Sequence, residues 1–457
     1  MSAGILISSS VASSKEWPRD DAVSARGLLL LQAAMWLGMF LIFFASPVLQ
    51  MSDSQYSMLT AESIIHNHTP DLSSYSIKNY KEDLPFNTIA GKHAYQLART
   101  NGRLLYGFGH GTSMLSIPFV ATMDLLGISP ATAAGEYNLA GEIIVEKMLA
   151  ALLMASLIIV FFRTASLLLD WRWSAVIAIG TGLGTSVWST ASRGMWAHTW
   201  EIMLGGIVAS LLLASALRGT SIRPALLATL LSWMFFGRPI GAIPVVAVSI
   251  YIMACRPREM MVYAITGALW MSAFAAYSMR IFGTLVPYYY LSNDPRGMGI
   301  HFEQGLYGVL LSPSRGIFIY SPVLAVVVFL TARYWRSIAD RALALVSIST
   351  IGAITLASAA HPEWWGGNSY GPRLLCDAIP WFVLLAIMAI AAMPAALRTI
   401  RTPAIAVGAA LLLVSIVINA HGAFSFTTLD WNDKRPLPAV MLDWSQPQFL
   451  AGWIAEP

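Results

Sequence analysis

The sequence predicts an all-α polytopic membrane protein. The chain is 56% hydrophobic and only 11% charged, where soluble domains run at about a quarter charged. Its mean hydropathy is +0.63. Apolar runs of roughly 20 residues recur along it, long enough to cross about 30 Å of hydrocarbon as helices. The runs are continuous rather than alternating in polarity, which excludes barrel strands. The net charge of +4 comes from arginines placed singly or in pairs between apolar runs. This is the positive-inside pattern and not a nucleic-acid surface.

Taken in order, about eleven spans are expected, at 27–49, 142–162, 174–190, 196–216, 224–236, 240–254, 259–281, 314–332, 341–360, 372–393 and 403–421. The first is too long for a signal-peptide core and reads as an uncleaved anchor. Residues 1–26 then form a cytoplasmic N-terminus, 27–424 the transmembrane domain and 425–457 an outer tail. The arginine-bearing connections at 163–172, 218–223, 256–258, 333–341 and 398–401 fall on the cytoplasmic side. "GTSMLSIPFVATMDLLG" at 111–127 is apolar enough to suggest a further span, but a crossing there would turn every later arginine pair outward. It is read instead as an interfacial or re-entrant helix with Pro118 and Asp124 inside it. Residues 50–141 become one long outer loop, and loops of such length are usually functional. Cys255 and Cys376 fall at opposite edges and are not expected to pair.

Polar chemistry gathers on the outer side. Asp53 directly follows the first span, ahead of an amphipathic helix at 54–66; it suits a general base or that helix's N-cap. "NGRLLYGFGHGTSMLSIP" supplies Arg103 and His110 among glycines, as a flexible lead into the next helix or a phosphate or acceptor site. It lacks the lysine–serine pair of a nucleotide loop. His198 and Glu201 are three apart on one helix face and read as cavity lining, with no further ligand at metal spacing. Arg238 stands between two short apolar runs in "SWMFFGRPIGAIP" and should point into a polar cavity. With Arg103, Arg193, Arg315 and Arg373 it is an outer arginine on the side that should lack them, which suggests a bound anion such as phosphate. "HPEWWGGNSYGPRLL" adds Glu363, Trp364, Trp365, Asn368 and Tyr370, a set suited to stacking on and hydrogen bonding a sugar.

With "YGFGHGTSMLSIPF", "HTW", "GRPIGAIP", "LLSPSRGIFIYSP" and "WWGGNSYGPRLL" in this order, most of the chain resembles the GT-C superfamily of polytopic glycosyltransferases, including protein O-mannosyltransferases, aminoarabinose transferases and bacterial family-39-like members. The resemblance implies a GT-C-like bundle with interfacial helices in the first outer loop. It implies transfer of a sugar from a polyprenyl-phosphate donor to a lipid, glycan or protein acceptor, at the outer face of the bacterial cytoplasmic (inner) membrane. Asp53 would be the base. Arg103, Arg238, Arg315 and Arg373 would hold the donor phosphate, and His110, His198, Glu201, Glu363, Trp364, Trp365, Asn368 and Tyr370 the substrates. Many members carry two adjacent acidic residues in the first loop, whereas "SDSQ" has one, so Glu201 or Glu363 would supply any second acid. The resemblance fixes no cofactor, and a divalent metal is the candidate. The competing reading is a flippase or transporter of lipid-linked sugars, which would place ionisable groups near mid-membrane.

Overall fold

Helix after helix follows the apolar runs. The computed structural model describes residues 24–77, 95–291, 299, 301–398, 403–433 and 439–454. The expected N-terminal segment lies almost wholly outside these residues, as does part of the first loop. In chain order come α1 (Ala25–Ala45), α2 (Ser57–Asn67), the hairpin β1 (Leu97–Thr100) and β2 (Arg103–Tyr106), then α3 (Gly111–Leu125), α4 (Leu139–Ala165), α5 (Trp171–Gly184), α6 (Ala197–Arg218), α7 (Pro224–Gly237), α8 (Ala242–Cys255) and α9 (Met260–Phe282). The remainder is α10 (Tyr288–Leu291), α11 (Phe302–Leu311), α12 (Ile317–Tyr320), α13 (Val323–Arg333), α14 (Arg341–Ala360), α15 (Ile379–Ala392), α16 (Pro403–Phe424) and α17 (Thr427–Asp433).

This is a helical membrane protein. Among the described residues, seven helices are long and apolar enough to cross a bilayer; α7, α8 and α13 are shorter apolar helices. Local signals set the ends. Asn138 caps α4 at Gly141, Asp170 caps α5 at Arg172 and Trp173, and Asp340 caps α14 at Leu343. The expected span at 174–190 is shorter than drawn, because α5 stops at Gly184 and a π-helical turn occupies Val187–Ala191. The span at 314–332 is likewise divided, into α12 and α13 around Ser321–Pro322. The segment 111–127 does fold as a helix, α3. Its 15 residues reach only about 22 Å. Cys255 is exposed and Cys376 buried, and both are free.

The core centres on α4, α6 and α15. Every residue of α15 from Ile379 to Ala389 is buried, the pattern of a helix surrounded on all sides. Around it α1, α9 and α16 turn large apolar side chains such as Leu37, Leu269 and Leu413 outward, which suits contact with acyl chains.

One helix start has an unexpected cap. The N-cap position of α2 is Tyr56, in the left-handed region at φ 74° and with no side-chain cap of its own. The reading of Asp53 as the cap is therefore corrected: α2 begins too late for Asp53 to reach its first amides. Glu142, in the first turn of α4, accepts from the backbone N–H groups of Tyr56 (3.1 Å), Met58 (2.9 Å) and Leu59 (3.4 Å) instead. Glu142→Ala leaves these buried donors without an acceptor, at about 1–3 kcal/mol. Thermal unfolding in detergent is expected several degrees lower for Glu142→Ala, and only slightly lower for Glu142→Gln, whose amide oxygen still accepts.

Candidate functional site

The helix ends before Asp53, before α4 and α6, after α7 and α14, and before α15 meet at one end of the bundle. After α1 the chain runs extended, pinned by Val48 N–H to Ala423 O (3.2 Å) and Gln50 N–H to Arg193 O (2.9 Å). The Gln50 side chain donates to Ser189 O (2.7 Å) and accepts from Tyr370 N–H (3.4 Å). This fixes Asp53 against the loop before α15. There Arg373 forms an ion pair with the Asp53 carboxylate. Tyr95 Oη donates to the same carboxylate (2.7 Å), and Tyr106 Oη donates to the Asp53 carbonyl. Burial pushes the Asp53 carboxyl up, but Arg373, with help from the Tyr95 hydroxyl, holds it below its ordinary value of 3.8. At neutral pH it is a carboxylate.

Arg373 is itself positioned on three sides. Its guanidinium lies over the Trp196 ring, 3.5 Å from the centroid, a cation–π contact. Nη1 donates to Gly366 O (3.1 Å). Nε is buried and has no acceptor among the described residues. A shallow recess beside it, with essentially no enclosed volume, is lined by Arg315, Trp364, Trp365, Pro372 and Leu374 among others. That is smaller than the roughly 300–1,000 Å³ of ligand pockets.

A second buried cluster adjoins the first. His198, in the first turn of α6, has Nδ1 2.9 Å from Asp377 Oδ1, and Arg238 Nη1 lies 2.6 Å from Asp377 Oδ2. Arg238 also lies 2.5 Å from His198 Nδ1 and 3.0 Å from Nε2. One ring nitrogen cannot both donate to Asp377 and accept from Arg238. An Nδ1–H donating to Asp377, with Arg238 paired to the other carboxylate oxygen, satisfies all three groups. Glu201 is buried one turn along α6, within electrostatic reach of Asp377 and Arg238. The clusters touch through Trp196 and His198, whose ring centroids are 6.3 Å apart, and the charge of Arg373 reaches both Asp53 and Asp377.

Of the residues expected in the site, Asp53, Arg373, His198, Glu201 and Arg238 come together, and Trp364, Trp365 and Arg315 border the recess. Several others do not join them. Arg315 is fully buried, and all five of its N–H groups are taken: by Trp365 O, Ser314 O, Gln448 Oε1, Gly367 O and Asn432 Oδ1. It ties the 361–371 loop to the tail and keeps no donor for a phosphate. Arg103 donates to the carbonyls of Arg280 and Ile281 at the end of α9, a helix C-cap. Asn101 and Gly102, both at positive φ, form the β1–β2 hairpin tip beside it rather than a flexible lead-in. Arg193, fully buried, donates to Ser46 O (2.8 Å) and to Phe43 O at the end of α1.

His110 is held by Tyr277 Oη (2.6 Å) and Tyr106 O (2.8 Å), and burial pushes its pKa down to about 4, so it is neutral. Trp364 is buried against Gly308, where a Cβ would sit 2.2 Å from its ring. Tyr370 is buried and donates to Ile418 O (2.7 Å). The Tyr370 ring packs away from the recess against Tyr320, while the Trp364 ring both packs on Gly308 and borders the recess. Glu363 and Asn368 are exposed, and Asn368 contacts Asp433 at 3.3 Å.

Three members of the site stood outside the sequence expectation. Asp377 carried a signal, a carboxylate inside an apolar run, which is costly unless paired. Tyr95 and Trp196 carried none, because their roles depend on tertiary placement. No family model matches this chain, and no curated protein matches it either.

Proposed function

We propose that the chain is a GT-C-like glycosyltransferase of about eleven spans, moving a sugar from a polyprenyl-phosphate donor to a lipid, glycan or protein acceptor at the outer face of the cytoplasmic membrane. The observation that carries this reading is the juxtaposition of Asp53 and Arg373, 320 residues apart in sequence, with a tryptophan under the guanidinium and one buried N–H left to give. Asp53 takes the proton of the acceptor hydroxyl, whose oxygen attacks the anomeric carbon. The bond from that carbon to the phosphate oxygen breaks, and polyprenyl phosphate leaves with its charge met by Arg373. Attack opposite the leaving group inverts the anomeric centre. Asp53 and Arg373 are paired with each other, so an arriving phosphate competes for the guanidinium and frees the carboxylate for its proton. Arg238 is committed to Asp377 and orients the second cluster. The recess at Arg373 is too small for a sugar, so binding has to widen it.

The purified full-length protein, given polyprenyl-phosphate sugars and a membrane-lipid or glycan acceptor fraction, is expected to release polyprenyl phosphate. Absence of release with every donor rejects the reading. The break between α7 and α8 at Arg238, beside the buried Asp377, favours one alternative, a lipid-linked sugar flippase or transporter. That reading expects donor movement across vesicle membranes with the sugar–phosphate bond intact.

A further inference from the structure

Away from Asp53, at the far end of α2, stand Glu62, His66 and Asp124. Glu62 and His66 are four apart on one face of α2, and Asp124 lies in the last turn of α3. His66 Nε2 is 2.8 Å from Asp124 Oδ2 and 3.4 Å from Glu62 Oε1, and one donor atom from each residue falls within 4.8 Å of the others. A tetrahedral zinc site with bonds near 2.0–2.1 Å sets its donor atoms about 3.3 Å apart. Small side-chain rotations bring these three to that spacing.

A second observation points the same way. Glu62 is only 4% exposed. Its Oε1, the oxygen 3.4 Å from His66, accepts from Ser129 Oγ (2.9 Å), while its Oε2 is buried with no hydrogen-bond partner among the described residues, so a turn of the carboxylate brings an unmet oxygen to the ion. A buried carboxylate oxygen left so is costly, and a cation satisfies it. His66 and Asp124 keep 51% and 28% of their side chains exposed, which gives an ion a way in and leaves room for water.

The geometry points to a divalent transition-metal site of the zinc class, formed by Glu62, His66 and Asp124 with water completing the shell. One imidazole with two carboxylates suits zinc-like ions; magnesium and calcium call for more oxygen donors. Ser129 holds Glu62 in place through a hydrogen bond to Oε1. The metal clamps α2 to α3, tying the segment that follows Asp53 to the helix whose first residue, Gly111, presses with Gly109 just before it on the backbone of Phe236 and Gly237. This site stands independently of the transfer reaction.

The test uses the full-length protein in detergent, stripped with a chelator and titrated with Zn²⁺ alone against a chromogenic indicator. One equivalent is expected to bind to the unaltered chain, and Co²⁺ in its place should give the visible absorption of a four- or five-coordinate site. His66→Gln and Asp124→Asn should each weaken binding at least tenfold; Asn keeps the shape of Asp124 and a hydrogen bond to His66. Zn²⁺ should raise the unfolding temperature of the unaltered chain and of neither variant, with all three alike in chelator. No stoichiometric binding, or equal affinity and equal thermal shift in all three proteins, overturns the site and leaves a hydrogen-bonded cluster only.

Discussion

Asp53→Asn is expected to lower sugar transfer by about 10²–10⁴-fold, the range for loss of a general base, while the protein stays folded. The amide keeps the volume and still accepts from Tyr95, and Arg373 keeps Gly366 O and the Trp196 ring. Initial rates of polyprenyl phosphate release, with size-exclusion profiles of both proteins, check the two halves of this statement. Near-normal turnover removes Asp53 as the base. The pH behaviour follows from the pair. The folded pKa of Asp53 lies below its ordinary value of 3.8. Its contribution to stability is therefore fully present above that value and is lost as pH falls through the folded pKa. The unfolding temperatures of the unaltered chain and Asp53→Asn should differ at neutral pH and converge in acid.

Arg373→Ala is expected to cost about 10²–10³-fold in transfer, the scale of losing one preorganised donor to a developing anion. It has a second effect, with an opposite dependence on pH. Arg373 is the main force holding the Asp53 carboxyl down against burial. Without it, burial raises the carboxyl, so the base is ionised only at higher pH. Transfer by Arg373→Ala should climb as pH rises, while the unaltered chain is flat through neutrality. The two substitutions share one interaction, so the double variant should lose less than the product of the single losses. Multiplicative losses, or a flat profile for Arg373→Ala, separate the two residues and undo the pairing mechanism.

The helices were readable from the sequence because burial in lipid demands apolarity over a fixed length, and α14 falls on the residues drawn for it, Arg341–Ala360. The interruptions were harder. α5 gives way to a π turn and α12 to α13 because local polar residues and Pro322 redirect the backbone, and hydropathy does not register either. In the site, Asp53 and Arg373 were legible as charges where the membrane pattern leaves none. The same logic failed for Arg315. Sequence counts an outer arginine but does not show what surrounds it, and here five carbonyl and amide oxygens saturate the guanidinium. "WW" puts two rings side by side, and only packing on Gly308 decides that the first is buried while both border the recess.

The capping of α2 by Glu142 also constrains how the chain is made. Met58 and the carboxylate that accepts its amide are 84 residues apart. At synthesis rates of roughly 5–20 residues per second, Glu142 emerges about 4–17 s after Met58. For that interval the segment bearing Asp53 has left the ribosome without the acceptor that completes its helix. The first loop therefore matures only when α4 is in place, and quality-control proteases that sample nascent membrane proteins meet it before then.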